Sequence, residues 1–176
     1  GHHRLACPDA PQNRMRLRLQ LNIALEKPMK LYLTALAALL MSGMAHAADV
    51  IDVHRDANCG CCKDWIKYLE ANGFEVRDHV ESNMSAVKQK LGVAPRLGSC
   101  HTGVIDGKFV EGHVPVAAIH ELQKRDDLAG VAVPGMPAGS PGMDYGQPHQ
   151  QYQVIGLTTK GRDLVLGDYL GAQPVR

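Results

Sequence analysis

The stretch Val50–Leu69, VIDVHRDANCGCCKDWIKYL, decides the fold predicted for this chain. Its first six residues form a short, mainly apolar run bounded by polar residues, which indicates a buried strand. A helix is expected over Cys62–Asn72, because apolar residues recur at helical spacing there and Gly73 follows as a helix-ending residue. The loop between the two elements ends in Cys59-Gly60-Cys61-Cys62, which places three thiols within four residues.

Further along the chain, the hydrophobic pattern predicts strands and helices in the order β-α-β-α-β-β-α. The signals are an alternating strand over 74–79, a helix beginning near residue 83, a hairpin turn at Asp106-Gly107 and a third helix after Pro115. This order, with a cysteine loop after the first strand, resembles the thioredoxin-like fold. The predicted fold class is therefore α/β (α+β): a single thioredoxin-like domain with a mixed sheet, about three helices and a long Gly/Pro/Met loop over 134–151.

The first 47 residues are expected to stand apart from this domain. Residues 29–47 combine Met29-Lys30, an apolar run too short to cross a bilayer, and an Ala45-His46-Ala47 end. This is the pattern of a cleaved secretory signal peptide rather than of a membrane anchor. Residues 1–28 are interpreted as a non-native or extended N-terminal segment. The predicted domain is 48–176, which is expected to lie in the periplasm without a membrane attachment after cleavage.

The distribution of charge argues against nucleic acid as a partner of the domain. The chain has a net charge of +1, but residues 1–47 hold six Lys/Arg against two Asp/Glu, whereas residues 48–176 hold thirteen against sixteen. The basic excess belongs to the leader, so the domain offers no electrostatic basis for binding nucleic acid.

Soft metal ligands are concentrated in a few places along the chain. Thiolate, imidazole and thioether together favour Cu(I), and thioether is a poor ligand for zinc, so Cu(I) is predicted ahead of zinc. Two cysteines with the spacing of Cys59 and Cys62 can bind one ion. A helix N-terminus directly behind them favours the thiolate over the thiol. The candidate metal ligands are Cys59, Cys61, Cys62, Cys100, His101, His113, Met136 and Met143.

Several of these candidates have a structural alternative. Regular strand geometry would turn only one of Cys100 and His101 toward a site unless the start of the strand is bent. His101 would otherwise hold the loop by hydrogen bonding, and His113 would be a capping or turn residue. Met136 and Met143 would be apolar plugs that anchor the long loop. The remaining histidines of the domain are interpreted as surface or core-edge residues; these are His54, His79, His120 and His149.

The same thiols also suit a thiol–disulfide oxidoreductase, in which Cys59 attacks and Cys62 resolves. Two features count against this alternative: the cis-proline of thioredoxin-like enzymes is absent before the third strand, and Cys61 is surplus. A purely structural disulfide is a third possibility in an exported protein.

Four motifs in order carry a resemblance to a known family: CGCC at 59–62, SCHT at 99–102, EGHVP at 111–115 and PGMPAGSPGM at 134–143. Together they resemble DUF411, a predicted metal-binding family of bacterial exported proteins associated with copper resistance. The resemblance implies a periplasmic copper-binding role. With the residues above, it predicts a non-enzymatic Cu(I)-binding protein for copper sequestration, tolerance or handover. Its expected partners are the copper ion and a copper efflux or resistance protein.

Overall fold

The computed structural model of the protein describes residues 47–175. The predicted N-terminal segment 1–28 and the signal peptide 29–47, apart from Ala47, lie outside the described residues. Within residues 47–175, no helix is long and apolar enough to cross a membrane.

The described part of the chain holds three α-helices and eight strands. The helices are α1 (Gly60–Ala71), α2 (Met84–Lys90) and α3 (Val116–Gln123), and a single 3-10 turn covers Pro95–Leu97. The strands are β1 (Val50–Arg55), β2 (Glu75–Val80), β3 (His101–Ile105), β4 (Lys108–Glu111), β5 (Leu128–Ala132), β6 (Tyr152–Thr158), β7 (Asp163–Leu170) and β8 (Gln173–Pro174).

The strands form one mixed sheet in the order β2-β1-β3-β4-β5-β6-β7-β8. Strand β1 is parallel to β2 and antiparallel to β3, and β3 is antiparallel to β4. With α1, α2 and α3, these four strands have the order and directions predicted for a thioredoxin-like core. The predicted fold class is confirmed, including the mixed sheet, the three helices and the long loop that precedes β6.

The sheet continues beyond this core through a strand that the sequence pattern did not predict. Strand β5 pairs in parallel with β4 and in antiparallel with β6, so it links the core to the C-terminal hairpin. Its short sequence contains Gly130, and glycine weakens the strand pattern. The glycine is there because a Cβ at this position would overlap the ring of Phe109.

Helix α1 begins at Gly60, two residues earlier than predicted, with Cys59 as the residue before the first turn. Its inner face buries Trp65 and Leu69, which join Ile51 and Val53 of β1 in the main hydrophobic core. Burial of side chains of this size stabilises the fold by roughly 1.5–3 kcal/mol each. The core therefore holds the N-terminal end of α1, with its thiols, at the carboxyl end of β1.

Candidate metal centre

Four sulfur atoms meet at the N-terminal end of α1. The sulfurs of Cys59, Cys61, Cys62 and Cys100 all lie within 4.8 Å of one another. Cys59 and Cys62 are joined in a disulfide, and Cys61 and Cys100 are free thiols. Cys61 Sγ lies 3.6 Å from Cys59 Sγ and 3.7 Å from Cys100 Sγ. The free thiol of Cys61 therefore lies between the disulfide and the thiol of Cys100.

Cys100 also belongs to a second group, formed with His101 and His113. Its Sγ lies 3.3 Å from His101 Nδ1 and 3.2 Å from His113 Nε2. The structure thus brings together all six cysteine and histidine candidates named from the sequence, with Cys100 common to both groups.

Each of the two imidazoles is oriented by a backbone carbonyl. His101 Nε2 donates to Gly112 O at 2.8 Å, and His113 Nδ1 donates to Pro141 O at 2.8 Å. Because a carbonyl can only accept, the proton of each neutral ring is on the nitrogen facing the carbonyl. The lone-pair nitrogens, His101 Nδ1 and His113 Nε2, therefore face the sulfur of Cys100. Metal-ligating histidines in proteins are held in this way.

A bend in the chain explains why neighbouring residues both reach the site. Cys100 lies in a bend and β3 begins only at His101, so the alternation of a regular strand does not separate them. The ring of His101 stacks on Trp65 with a centroid distance of 4.4 Å. Trp65 is itself held by a hydrogen bond from its indole Nε1 to Val114 O at 3.0 Å. Core packing of α1 therefore positions one imidazole directly.

Burial keeps this site electrically neutral in the absence of a cation. Burial raises the pKa of the Cys100 thiol to about 12, and the neighbouring Cys61 adds to the shift. Burial also lowers the pKa of His101 well below its ordinary value, and the adjacent His113 lowers it further. The pKa of His113 is lowered by burial as well. A protonated thiol and two neutral imidazoles are the expected state, and a bound cation would offset the loss of the thiol proton.

The lowered pKa values of His101 and His113 predict that the metal-free protein loses stability in mild acid. The unfolded state binds a proton at each of these histidines below about pH 6.5, while the folded state does not, so stability falls as the pH falls through that value. The slope is at most about 1.4 kcal/mol per pH unit for each histidine. Urea unfolding of the disulfide form on both sides of that pH checks this result.

The control for this pH dependence is the exposed and uncharged Gln151. Gln151→Ala changes no titratable group and should keep the full slope of the free energy of unfolding against pH, whereas His101→Gln should reduce it. A slope that is the same in both variants would contradict the assignment.

The long Gly/Pro/Met loop packs on the site from the side of α1. Its Pro141 carbonyl holds His113, and Gly142 approaches so closely that a Cβ there would lie 2.6 Å from the backbone nitrogen of Trp65. Gly142 also has φ +81°, a conformation that favours glycine. Met143 is half-buried beside this contact, whereas Met136 is 55% exposed. A ligand role for either methionine stays a prediction.

A buried ion pair beneath Cys100 was missed by the sequence interpretation. Glu111 is fully buried, and its carboxylate accepts from the backbone N–H of Ser99 at 2.8 Å and from the hydroxyl of Thr102 at 2.5 Å. The ammonium of Lys88 also donates to this carboxylate and to Thr102 Oγ1. The network therefore holds the turn that carries Cys100. The sequence signal that could have revealed this ion pair was the carboxylate of Glu111 at the end of the apolar strand β4.

Comparisons with known proteins identify a family and two related solved structures. A family model described as "Protein of unknown function, DUF411" matches residues 97–143, which hold three of the four motifs. The solved structure titled "Copper resistance protein copG- Form 2" is 67% identical, with a TM-score of 0.69 over 70% of this chain and 99% of its own. The structure titled "Copper resistance protein copG- Form 1" is also 67% identical, with a TM-score of 0.68 over 70% of this chain and 98% of its own. A search of curated protein sequences found no match. Because the identity is this high over nearly the whole length of these relatives, the chain belongs to the DUF411 copper-resistance family.

Proposed function

We propose that this protein binds Cu(I) as cargo in the periplasm, for copper sequestration, tolerance or handover. Its Cys/His groups and its copper-resistance relatives indicate a copper-related function and a capacity for metal binding. The observation that carries the step to Cu(I) is the donor set around Cys100: a free thiol at 3.7 Å and two lone-pair imidazole nitrogens at 3.2 and 3.3 Å. Thiolate and imidazole without a carboxylate form a soft set, which favours Cu(I).

The candidate ligands differ in the chemical change that each needs before it can bind copper. His101 and His113 already present lone-pair nitrogens, and Cys61 and Cys100 need only lose their thiol protons. Cys59 and Cys62 are joined in a disulfide, which must first take up two electrons and two protons to become two thiols. We infer that the reduced protein uses Cys59 and Cys62 with Cys100 or an imidazole as its core ligands. The disulfide form would offer a smaller ligand set.

The long loop has two roles in this proposal. Its Gly142 contact with α1 and its carbonyl bond to His113 hold it on the site, so it excludes water from bound copper. Met143 would add a thioether from the half-buried part of the loop. The exposed Met136 would be placed for contact with a partner, for which a periplasmic copper efflux or resistance protein is the expected class. The protein would turn over no substrate in this role.

An anaerobic Cu(I) titration of the reduced protein against a chromophoric chelator tests this function. We expect stoichiometric withdrawal of Cu(I) from the chelator by the purified full chain, and loss of that withdrawal in Cys59→Ser. Cys7→Ser is the matched control, because it removes a thiol outside the predicted domain and should change nothing. A wild-type protein that takes no Cu(I) from the chelator would contradict the proposal.

A thiol–disulfide oxidoreductase is the second candidate, and the Cys59–Cys62 disulfide at the start of α1 favours it. In this reaction the Cys59 thiolate would attack a substrate disulfide and form a mixed disulfide with it. The Cys62 thiolate would then attack Cys59, releasing the substrate as a dithiol and leaving the Cys59–Cys62 disulfide. Insulin reduction that requires both cysteines would support this candidate. No turnover at high protein concentration would remove it.

A further inference from the structure

A second group of histidines lies away from the thiols, on strands β1 and β2. His54 and His79 are register partners on these parallel strands, and their rings stack with a centroid distance of 4.8 Å and an interplanar angle of 17°. Strand neighbours alternate between faces, so His54 lies on the opposite face of the sheet from Arg55. Arg55 is the register partner of His101, so this pair and the thiol site occupy opposite faces.

Each of these imidazoles is oriented by a carboxylate. His54 Nδ1 lies 2.7 Å from Glu81 Oε1, and His79 Nε2 lies 2.7 Å from Asp52 Oδ1. A carboxylate accepts, so in the neutral rings the protons are on these nitrogens and the lone pairs are on His54 Nε2 and His79 Nδ1. A carboxylate behind a ligating histidine is the common arrangement at metal sites, because it sets the tautomer and raises the basicity of the ligand.

We propose that His54 and His79 form a second metal site, which binds Cu(II). Two imidazole nitrogens with water oxygens form a borderline donor set, and among divalent first-row ions Cu(II) binds such sets most tightly. No thiol takes part, so this site does not depend on the thiol site. The charges of Asp52 and Glu81 together balance that of a divalent cation.

The exposure of the pair allows the necessary ring movement. The side chain of His54 is 21% exposed and that of His79 is 43% exposed. A metal–nitrogen bond of about 2 Å to each ring requires the stacked rings to tilt toward a common ion. Both rings border solvent, which leaves room for this tilt, and water completes the coordination of the ion.

The test uses a background in which the competing thiols are gone. Cys7→Ser/Cys61→Ser/Cys100→Ser removes the three cysteines of the chain that lie outside the Cys59–Cys62 disulfide, and it keeps that disulfide. This protein is titrated with Cu(II) in competition with glycine and examined by electron paramagnetic resonance. We expect a Cu(II) spectrum with coupling to imidazole nitrogen. His54→Gln and His79→Gln should each weaken binding more than tenfold.

Two further variants make the result specific. Glu81→Gln keeps both rings and should weaken Cu(II) binding by roughly 10–100-fold, which is the usual effect of removing a carboxylate behind a ligating histidine. His120→Gln removes an exposed imidazole on α3 and should leave the affinity unchanged. If a histidine variant fails to fold, as judged by circular dichroism, the Cu(II) affinity of Glu81→Gln tests the proposal in its place.

Two results would overturn the proposal. One is equal Cu(II) affinity in the background protein and in its His54→Gln and Glu81→Gln variants. The other is nitrogen coupling that survives these changes and disappears with His113→Gln, which would place the ion at the imidazoles of the thiol site. Because the background lacks Cys61 and Cys100, either result leaves the Cu(I) proposal to its own test.

Discussion

Cys100→Ser is expected to lower the affinity of the reduced protein for Cu(I) by about a hundredfold or more. Cys100 is common to both ligand groups found in residues 47–175, so its loss removes a donor from each. Structural zinc sites with four ligands bind with roughly 10–16 kcal/mol, about 3 kcal/mol for each ligand, and the same scale for Cu(I) corresponds to about two orders of magnitude in affinity. The measurement is an anaerobic competition titration against a chromophoric Cu(I) chelator.

Cys61→Ser is the matched comparison for this effect. Cys61 also presents a free thiol, 3.7 Å from Cys100, but it belongs to only one of the two groups. Its loss should weaken Cu(I) binding less than the loss of Cys100. Equal affinities of Cys100→Ser and the wild type would show that copper binds elsewhere. A larger effect of Cys61→Ser would show that the imidazoles contribute little.

Glu111→Ala is expected to lower the free energy of unfolding by roughly 3–5 kcal/mol. The change leaves the ammonium of Lys88, which is only 18% exposed, without its carboxylate. It also removes the acceptor of the Ser99 N–H and of the Thr102 hydroxyl. Urea unfolding at neutral pH measures the loss. Because the network holds the turn that carries Cys100, weaker Cu(I) binding should accompany it.

Two variants separate the buried ion pair from a general effect of losing a charge. Glu121→Ala removes a half-buried carboxylate that lies 3.4 Å from Arg125, and it should change stability by less than about 1 kcal/mol. The double variant Lys88→Met/Glu111→Leu replaces both charges with apolar groups and should recover much of the stability. A Glu111→Ala loss no greater than that of Glu121→Ala would contradict the assigned role.

Local hydrophobic patterns were enough to predict most of the core. Strand β1 is a short, mainly apolar run, helix α1 shows a 3.6-residue pattern, and Gly73 follows the helix as expected. Strand β5 escaped prediction because Gly130 is dictated by the ring of Phe109, and Phe109 lies 21 positions earlier in the chain. Local patterns carry no information on such a contact.

In the candidate site, too, some features could be predicted from local sequence and others depended on contacts between distant segments. Spacing identified the thiols of Cys59, Cys61 and Cys62, because a shared loop brings them together whatever the rest of the chain does. The role of His113 was undecided in sequence, since only the β3–β4 hairpin brings its ring to Cys100. His54 and His79 were interpreted as surface or core-edge residues, and only the parallel register of β1 and β2 stacks them.

The sequence by itself therefore determined the class of fold, the family motifs and the soft character of the ligands. These properties depend on residue type and on spacing within single elements. Tertiary structure alone decided that Cys100 joins two ligand groups, that Glu111 is buried beneath it, and which nitrogen of each histidine is free. These properties arise where distant segments pack together, so their physical cause is the burial of groups whose partners are remote in the chain.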